Sequence, residues 1–193
     1  MKVFLTDISD ISDDLIKQYQ GMLSDTEKER YKNIKDKNRQ LQFLIGRALI
    51  YDLFHVSPIL QEDGKPTIPN SYISLAHSGK YVILTVSDNP VGVDIEDWSE
   101  KRDFLSIAKR MKFSLSDNIP LSFYCQFTQY EADYKLGKID DEIQHSFYSF
   151  NTFIICISYM NKNEKIDFYN SIPLCGNTSF ILDKVQGMLN ENL

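Results

Sequence analysis

Cysteine is scarce. Cys125, Cys156 and Cys175 are the whole set, an odd number, widely spaced and without a C-x-x-C pair. Such a set fits neither a disulfide framework nor a zinc site, and points to free thiols in a reducing compartment. Long apolar runs are missing as well. No segment approaches the ~20 consecutive apolar residues of a membrane span, and the run within Met1 to Asp7 is too short for a signal peptide. The expectation is a soluble, cytoplasmic protein. Positive charge is in deficit, with a formal net charge of −6 at pH 7. Bulk electrostatics therefore argue against general nucleic-acid binding, while a local basic patch can survive. No internal repeat, low-complexity stretch or obvious linker interrupts the chain.

What is present suffices for a packed interior: 193 residues, 42% hydrophobic and 12% aromatic, enough for one domain or two small lobes sharing a core. The pattern predicts a first strand at residues 3–5 and a short helix over 10–22 begun near Ser12. Ser24-Asp25-Thr26-Glu27 is a capping box that opens a charged helix to about residue 34. Lys28, Arg30, Lys32, Lys35, Lys37 and Arg39 make this region basic. Such a run is ordinarily a solvated face, and alternatively a site for a phosphorylated ligand.

Leu41, Leu44, Ile45, Ala48, Leu49 and Leu53 recur at helical spacing, predicting a core helix over 38–54. On it, Gly46 allows close packing against another backbone, and Arg47 reads as a surface charge. A turn follows at Glu62-Asp63-Gly64-Lys65-Pro66, then a strand at 73–76 that His77-Ser78-Gly79 ends. Strands are predicted at 81–86 and 91–95 around the Asp88-Asn89-Pro90 turn. Phe104, Ile107, Ala108 and Met111 mark a helix. Pro120 and Gly137 bracket another, at a first helical position and a C-terminal cap. The tail reads as strands within 147–159 and 165–169, with a closing helix over 181–189.

The chemistry gathers around Gly92-Val93-Asp94-Ile95-Glu96. Alternation sends Val93 and Ile95 to one face of a strand and Asp94 and Glu96 to the other. At ~3.3 Å rise per residue, carboxylates about 7 Å apart along a strand can share one hard cation. The competing reading is an amphipathic edge strand with its acids in water. Three further motifs stand with this one: Gly64-Lys65-Pro66, Ile73-Ser74-Leu75-Ala76-His77-Ser78-Gly79, and Phe127-Thr128-Gln129-Tyr130-Glu131-Ala132-Asp133-Tyr134-Lys135.

In this order and spacing the motifs resemble the Sfp-type 4'-phosphopantetheinyl transferases. That pattern runs G-K-P, an N-I-S-H-S-G-like segment, G-[IV]-D-[IV]-E and W-x-x-K-E-[AS]-x-x-K. The resemblance covers residues 23–137. It implies an α+β fold, the 4'-phosphopantetheinyl transferase fold, with a pseudo-two-fold pair of similar lobes in one chain and coenzyme A in the cleft between them. The N-terminal lobe would be 1–97, with the coenzyme A motifs and the D-x-E strand. The C-terminal lobe would be 98–193, with the E-x-x-x-K helix and the carrier-protein contact. One chain would complete the site as a monomer.

The activity implied is transfer of the phosphopantetheine arm of coenzyme A to a serine of an apo acyl or peptidyl carrier protein, releasing adenosine 3',5'-bisphosphate. Mg²⁺ would serve as cofactor, with Mn²⁺ as a substitute, held by Asp94, Glu96 and Glu131. A divalent ion of this kind prefers a few carboxylates with phosphate oxygens and water. Glu131 would also be the general base, directly or through a water, and Lys135 would neutralise charge on the departing phosphate. Without the resemblance, Glu131 and Lys135 are an ordinary i, i+4 helix pair. Coenzyme A contacts would fall to Arg30, Lys65, Pro66, Ser74, His77, Ser78, Asp94 and Lys135, with His77 near the 3'-phosphate. Solvated charges and a structural histidine are the competing readings. The carrier would serve fatty-acid, polyketide, nonribosomal-peptide or lysine biosynthesis, and would dock an acidic helix near the basic stretch from Lys101 to Lys112.

The chain departs from the pattern at Phe127 (for Trp), Tyr130 (for Lys) and Ala76 (for Ser), and its interval from Glu96 to Glu131 is short. These departures support an alternative, a catalytically impaired coenzyme A-binding homologue with a regulatory or vestigial role. A third reading is an unrelated Mg²⁺-dependent phosphoryl-transfer enzyme.

Overall fold

β-Branched and aromatic runs, punctuated by turn residues, set out most of the strands. The computed structural model describes residues 1–61, 64–99, 101–137, 142–173, 180–184 and 190–191, with side chains through 171. In chain order these are β1 (Lys2–Asp7), α1 (Asp13–Met22), α2 (Asp25–Asn33), α3 (Lys37–Phe54), β2 (Ile59–Leu60), β3 (Pro66–Thr67), β4 (Tyr72–Ser78), β5 (Tyr81–Ser87) and β6 (Val91–Asp97). There follow α4 (Phe104–Met111), α5 (Ile119–Leu136), β7 (Gln144–Phe150), β8 (Phe153–Tyr159), β9 (Asp167–Pro173), β10 (Phe180–Lys184) and β11 (Asn190–Glu191). The fold is α+β, as the sequence implied.

Two sheets carry it. The first runs β10-β9-β1-β5-β4 and the second β11-β7-β8-β6. The β4–β5 and β7–β8 hairpins are antiparallel, whereas β1 pairs with β9 in parallel. Between the sheets lies a core in which Val3, Ile83, Val93, Ile95, Ile155 and Ile157 are buried. On the other face of the first sheet, Phe4, Val82 and Leu84 pack with Leu15, Tyr19, Leu44, Ile45 and Leu49 of α1 and α3. Each fully buried side chain of this size is worth ~1.5–3 kcal/mol of transfer free energy. A third cluster, Ala108, Phe123, Tyr124 and Ile154, seats α4 and α5 on the second sheet.

The sheets meet where β4 lies beside β6. There the Val93 amide donates to Ser74 Oγ at 3.0 Å and the Asp97 amide donates to Ser78 Oγ at 3.1 Å. Two serines four residues apart thus satisfy backbone donors on the side of β6 away from β8, groups that would be costly to bury unpaired.

Helix ends follow the chemistry of their caps. Ser12 and Ser24 cap α1 and α2, the latter with the full capping box, and Asp36 and Asn118 cap α3 and α5. α5 ends at Gly137 in the left-handed region, φ 81°, as Gly permits.

Several expectations are corrected. Residues 181–184, expected in a closing helix, belong to strand β10, antiparallel to β9; the remaining 185–189 lie outside the described residues. Edge pairing accounts for the Phe180-Ile181-Leu182 run better than a helix period. His77 and Ser78 do not end the preceding strand but continue it, and the turn comes at Gly79, φ 52°. Arg47 is not a surface charge: it is 5% exposed, its Nε 3.0 Å from Glu27 Oε1. Gly46 faces the side chain of Leu75, not another backbone. Of the turn at 62–66, Glu62 and Asp63 lie outside the described residues, as does Cys175. Cys125 and Cys156 are free thiols. Among the described residues no helix is long and apolar enough to cross a membrane.

Candidate functional site

α3, β4 and α5 converge on a cleft of about 730 Å³, within the ordinary range for ligand pockets. Each element contributes through its own period. Arg39, Phe43 and Arg47 recur every fourth residue along one face of α3; Leu75 and His77 are alternate residues of β4; Glu131, Tyr134 and Lys135 share a face of α5. The Gly64-Lys65-Pro66 turn and Arg30 of α2 close another side. Among the described residues, Arg30, Lys35, Arg39, Arg47, Lys65 and Lys135 line the cleft with Asp36 and Glu131 as the acids. In a protein of net charge −6 this is a concentrated positive site, suited to phosphate groups.

Close packing fixes α5 over the D-x-E strand. A Cβ at Gly92 would overlap the Ala132 carbonyl and lie 2.8 Å from Leu136 N, so only glycine lets the helix backbone descend this far onto β6. The descent brings Lys135 Nζ to Asp94, donating to Oδ1 at 2.7 Å and to the Val93 carbonyl at 3.1 Å. Burial pushes the Asp94 carboxyl up, with the facing Lys135 ammonium opposing and the Glu131 charge adding. The buried Asp94 Oδ2 has no hydrogen-bond partner among the described residues. Among the described residues Glu131 has no ion-pair or hydrogen-bond partner, and its carboxylate borders the open cleft.

Glu96, on the same strand face, turns to another cation: Arg102 Nη2 donates to its Oε2 at 2.8 Å. Among the described residues no group of three His, Cys, Asp or Glu side chains stands assembled as a metal site. The donors nonetheless suit a hard cation. They are carboxylate oxygens, and among the described residues the buried Asp94 Oδ2 has no hydrogen-bond partner while Lys135 holds the other oxygen.

His77 sits in the cationic part of the cleft. Arg39 Nη1 lies 3.2 Å from its Nδ1, so the neutral imidazole accepts there and keeps Nε2–H to donate. Burial pulls the His77 pKa down to about 4, helped by the charges of Arg39 and Lys135. Lys65 Nζ donates to the Lys135 carbonyl, placing an ammonium at the negative end of α5. Arg30 Nη1 donates to the Gly64 carbonyl at 3.1 Å, and Gly64 adopts φ 81° with Arg30 packed where a Cβ would be.

Of the residues singled out by sequence, Arg30, Lys65, Pro66, Ser74, His77, Glu131 and Lys135 line this cleft. Asp94 lies behind Lys135; Glu96 stands with Arg102; and Ser78 holds the Asp97 amide. Sequence reasoning assigned no site role to Phe43, Arg47 and Tyr134, and had Arg39 only as one member of the basic run offered to a phosphorylated ligand. The signal for Arg39, Phe43 and Arg47 was their four-residue spacing on a helix already identified. Phe43 is flanked by two guanidinium groups, Arg47 at 4.8 Å and Arg30 at 5.7 Å from its ring centroid.

No family model matches the chain. Among curated proteins it is similar to the 4'-phosphopantetheinyl transferase psf-1 of Bacillus pumilus, 36% identical over 81 residues, covering 36% of this chain and 34% of that protein. It is similar also to the 4'-phosphopantetheinyl transferase Sfp of Bacillus subtilis (strain 168), 29% identical over 105 residues, or 48% and 46% of the two chains. A further 4'-phosphopantetheinyl transferase of Bacillus subtilis is 39% identical over 54 residues, or 26% and 23%. The chain thus spans less than half the length of each of these relatives.

Proposed function

We propose that this relative of the Sfp-like 4'-phosphopantetheinyl transferases moves the 4'-phosphopantetheine arm of coenzyme A onto a serine hydroxyl of an apo acyl or peptidyl carrier protein. The observation that carries the reading is the placement of Glu131 and Lys135 at once on the rim of a cationic cleft and over Asp94. A coenzyme with a pyrophosphate and a 3'-phosphate suits that cleft by charge and by size. In the proposed step the serine Oγ attacks the phosphorus bearing the pantetheine arm. The bond from that phosphorus to the bridging oxygen breaks, and its electron pair leaves with adenosine 3',5'-bisphosphate. Glu131 takes the serine proton, directly or through a water. Lys135 and Lys65 offset charge on the phosphates, and neutral His77 with Arg39 binds at the phosphate end.

Asp94, Glu96 and Glu131 would hold a divalent ion, Mg²⁺ or Mn²⁺, which polarises a phosphoryl oxygen when bound. Residues 1–97 and 98–193 are read as a pseudo-two-fold pair of lobes with a boundary near Trp98, each with an 18-residue helix, α3 or α5; the sheets cross that boundary, β6 joining the second sheet and β9 and β10 the first. The chain would act as a cytoplasmic monomer. Exposed Lys109 and Arg110, in the last turn of α4, offer charge to an acidic carrier helix.

The test is intact-mass analysis of apo carrier proteins incubated with the protein, coenzyme A and Mg²⁺. A gain of one phosphopantetheine arm is expected, lost with EDTA or Asp94→Ala, with reversal of charge at Lys109 and Arg110 raising the carrier's KM. A second reading, a coenzyme A-binding homologue impaired in transfer, is favoured by the ion pairs that occupy Asp94 and Glu96. Coenzyme binding without mass gain on any carrier would select it. In an active enzyme Glu131→Gln keeps coenzyme binding and loses transfer.

A further inference from the structure

We infer that Arg102 is a built-in counter-cation of Glu96, one that a divalent ion must displace, so that it sets the metal demand of this chain. The inference rests on the reading that Asp94 and Glu96 hold such an ion. Asp94 and Glu96 project from the same face of β6, with the Glu131 charge acting on Asp94. Without an ion that grouping of negative charge is costly, and among the described residues Lys135 offsets it at Asp94 and Arg102 at Glu96.

The two cations are held differently. Lys135 is pinned by the Val93 carbonyl and by the descent of α5 at Gly92. Arg102 precedes α4 and lies over a floor of two rings, its guanidinium carbon 5.4 Å from the Tyr124 centroid and 5.5 Å from that of Phe127. A guanidinium stacked on rings keeps favourable electrostatics when its carboxylate turns away. Arg102 can therefore release Glu96 to an incoming ion without being stranded. Phe127, which stands where the related pattern has Trp, acquires a role here as part of that floor. The Glu96 side chain is 14% exposed and that of Arg102 27%, so the pair is reachable from solvent.

A purely structural pair and a competing cation differ in sign. Removing a structural partner weakens everything nearby, whereas removing a competitor tightens the metal. The experiment is Mn²⁺ titration, followed by the paramagnetic resonance of the free ion, on the wild-type protein, Arg102→Gln, Arg102→Lys and Asp94→Asn, without coenzyme A. Arg102→Gln is expected to lower the Mn²⁺ Kd about three- to fivefold, the equivalent of one partly exposed ion pair. Arg102→Lys, which keeps the charge and loses the planar stacking, falls between, and it carries the test if Arg102→Gln does not fold. Asp94→Asn weakens binding. An unchanged or higher Kd in the Arg102 variants, with Asp94→Asn still weakening, overturns the inference and spares the metal reading. Binding indifferent to Asp94→Asn, or undetectable in every variant, overturns both.

Discussion

Gly92 of β6 lies so close beneath Ala132 of α5 that no side chain fits between them. The Gly of the G-V-D-I-E motif is thus a packing requirement of the helix that carries Glu131 and Lys135, each one residue before a contact residue, Ala132 and Leu136. Gly92→Ala should cost about 3 kcal/mol or more, because the obstruction is backbone that cannot rotate away. Gly21→Ala is the matched control. It lies in α1 with nothing within 4 Å of the position a Cβ would take, and should stabilise by up to about 1 kcal/mol through helix propensity. Urea unfolding of the two variants measures both effects. A Gly92→Ala protein as stable as wild type would mean that α5 does not sit this low on the strand.

Glu27 performs two tasks at 2% exposure. It closes the α2 capping box by accepting from the Ser24 amide and hydroxyl, and its other oxygen faces Arg47 at 3.0 Å. Arg47, its pKa drawn down to about 10 mainly by burial, presents its guanidinium to the cleft from over Phe43. Glu27→Gln preserves the cap, since Gln also serves at that position, but strands a buried cation. A loss of about 3 kcal/mol is expected, with part regained in the Glu27→Gln/Arg47→Met double variant. The double-mutant cycle in urea decides it. If the double variant is no better than the sum of the singles, the pair is not coupled as the geometry indicates.

The residues of this site were unevenly legible. Glu131 and Lys135 were grouped with Asp94 through the resemblance alone, because the contact of Gly92 with α5 that brings Lys135 to Asp94 is tertiary and leaves no local pattern. Arg47 was misplaced because a lone charge on a core helix reads as solvated unless its buried partner is known, and Glu27 lies 20 residues away in sequence on another helix. Arg39, Phe43 and Arg47 form a periodic face, but two of its three members are charged, so the apolar period of the helix is carried by the leucines instead. The end of the chain failed for a different reason. Residues 181–184 carry no alternation that separates helix from strand, and what makes them a strand is β9 alongside, a partner invisible to local pattern. Ser74 and Ser78 read as ligand contacts, whereas their hydroxyls also join two sheets, a duty that depends on tertiary register.

His77 supplies a pH dependence with a defined sign. Its pKa in the folded protein is about 4, against about 6.5 for the unfolded chain, so folding favours the neutral imidazole. Between those values the unfolded state binds more protons. The stability associated with His77 is therefore complete above pH 6.5 and is lost as pH falls toward 4, by at most about 1.4 kcal/mol per pH unit. Asp52, raised to about 7 by burial, runs the other way, losing stability as pH rises toward 7. The comparison must therefore be between wild type and His77→Gln, in which Asp52 is common and cancels. Urea midpoints from pH 4.5 to 7.5 should show wild type losing ground to the variant on the acid side only. The imidazole proton resonance of His77 should titrate near pH 4 in the folded protein, and Arg39→Gln should move that midpoint upward, because the guanidinium beside Nδ1 is the second cause of the shift after burial. A midpoint near 6.5 would mean that the imidazole is solvated and that the phosphate end of the cleft is more open than the geometry indicates.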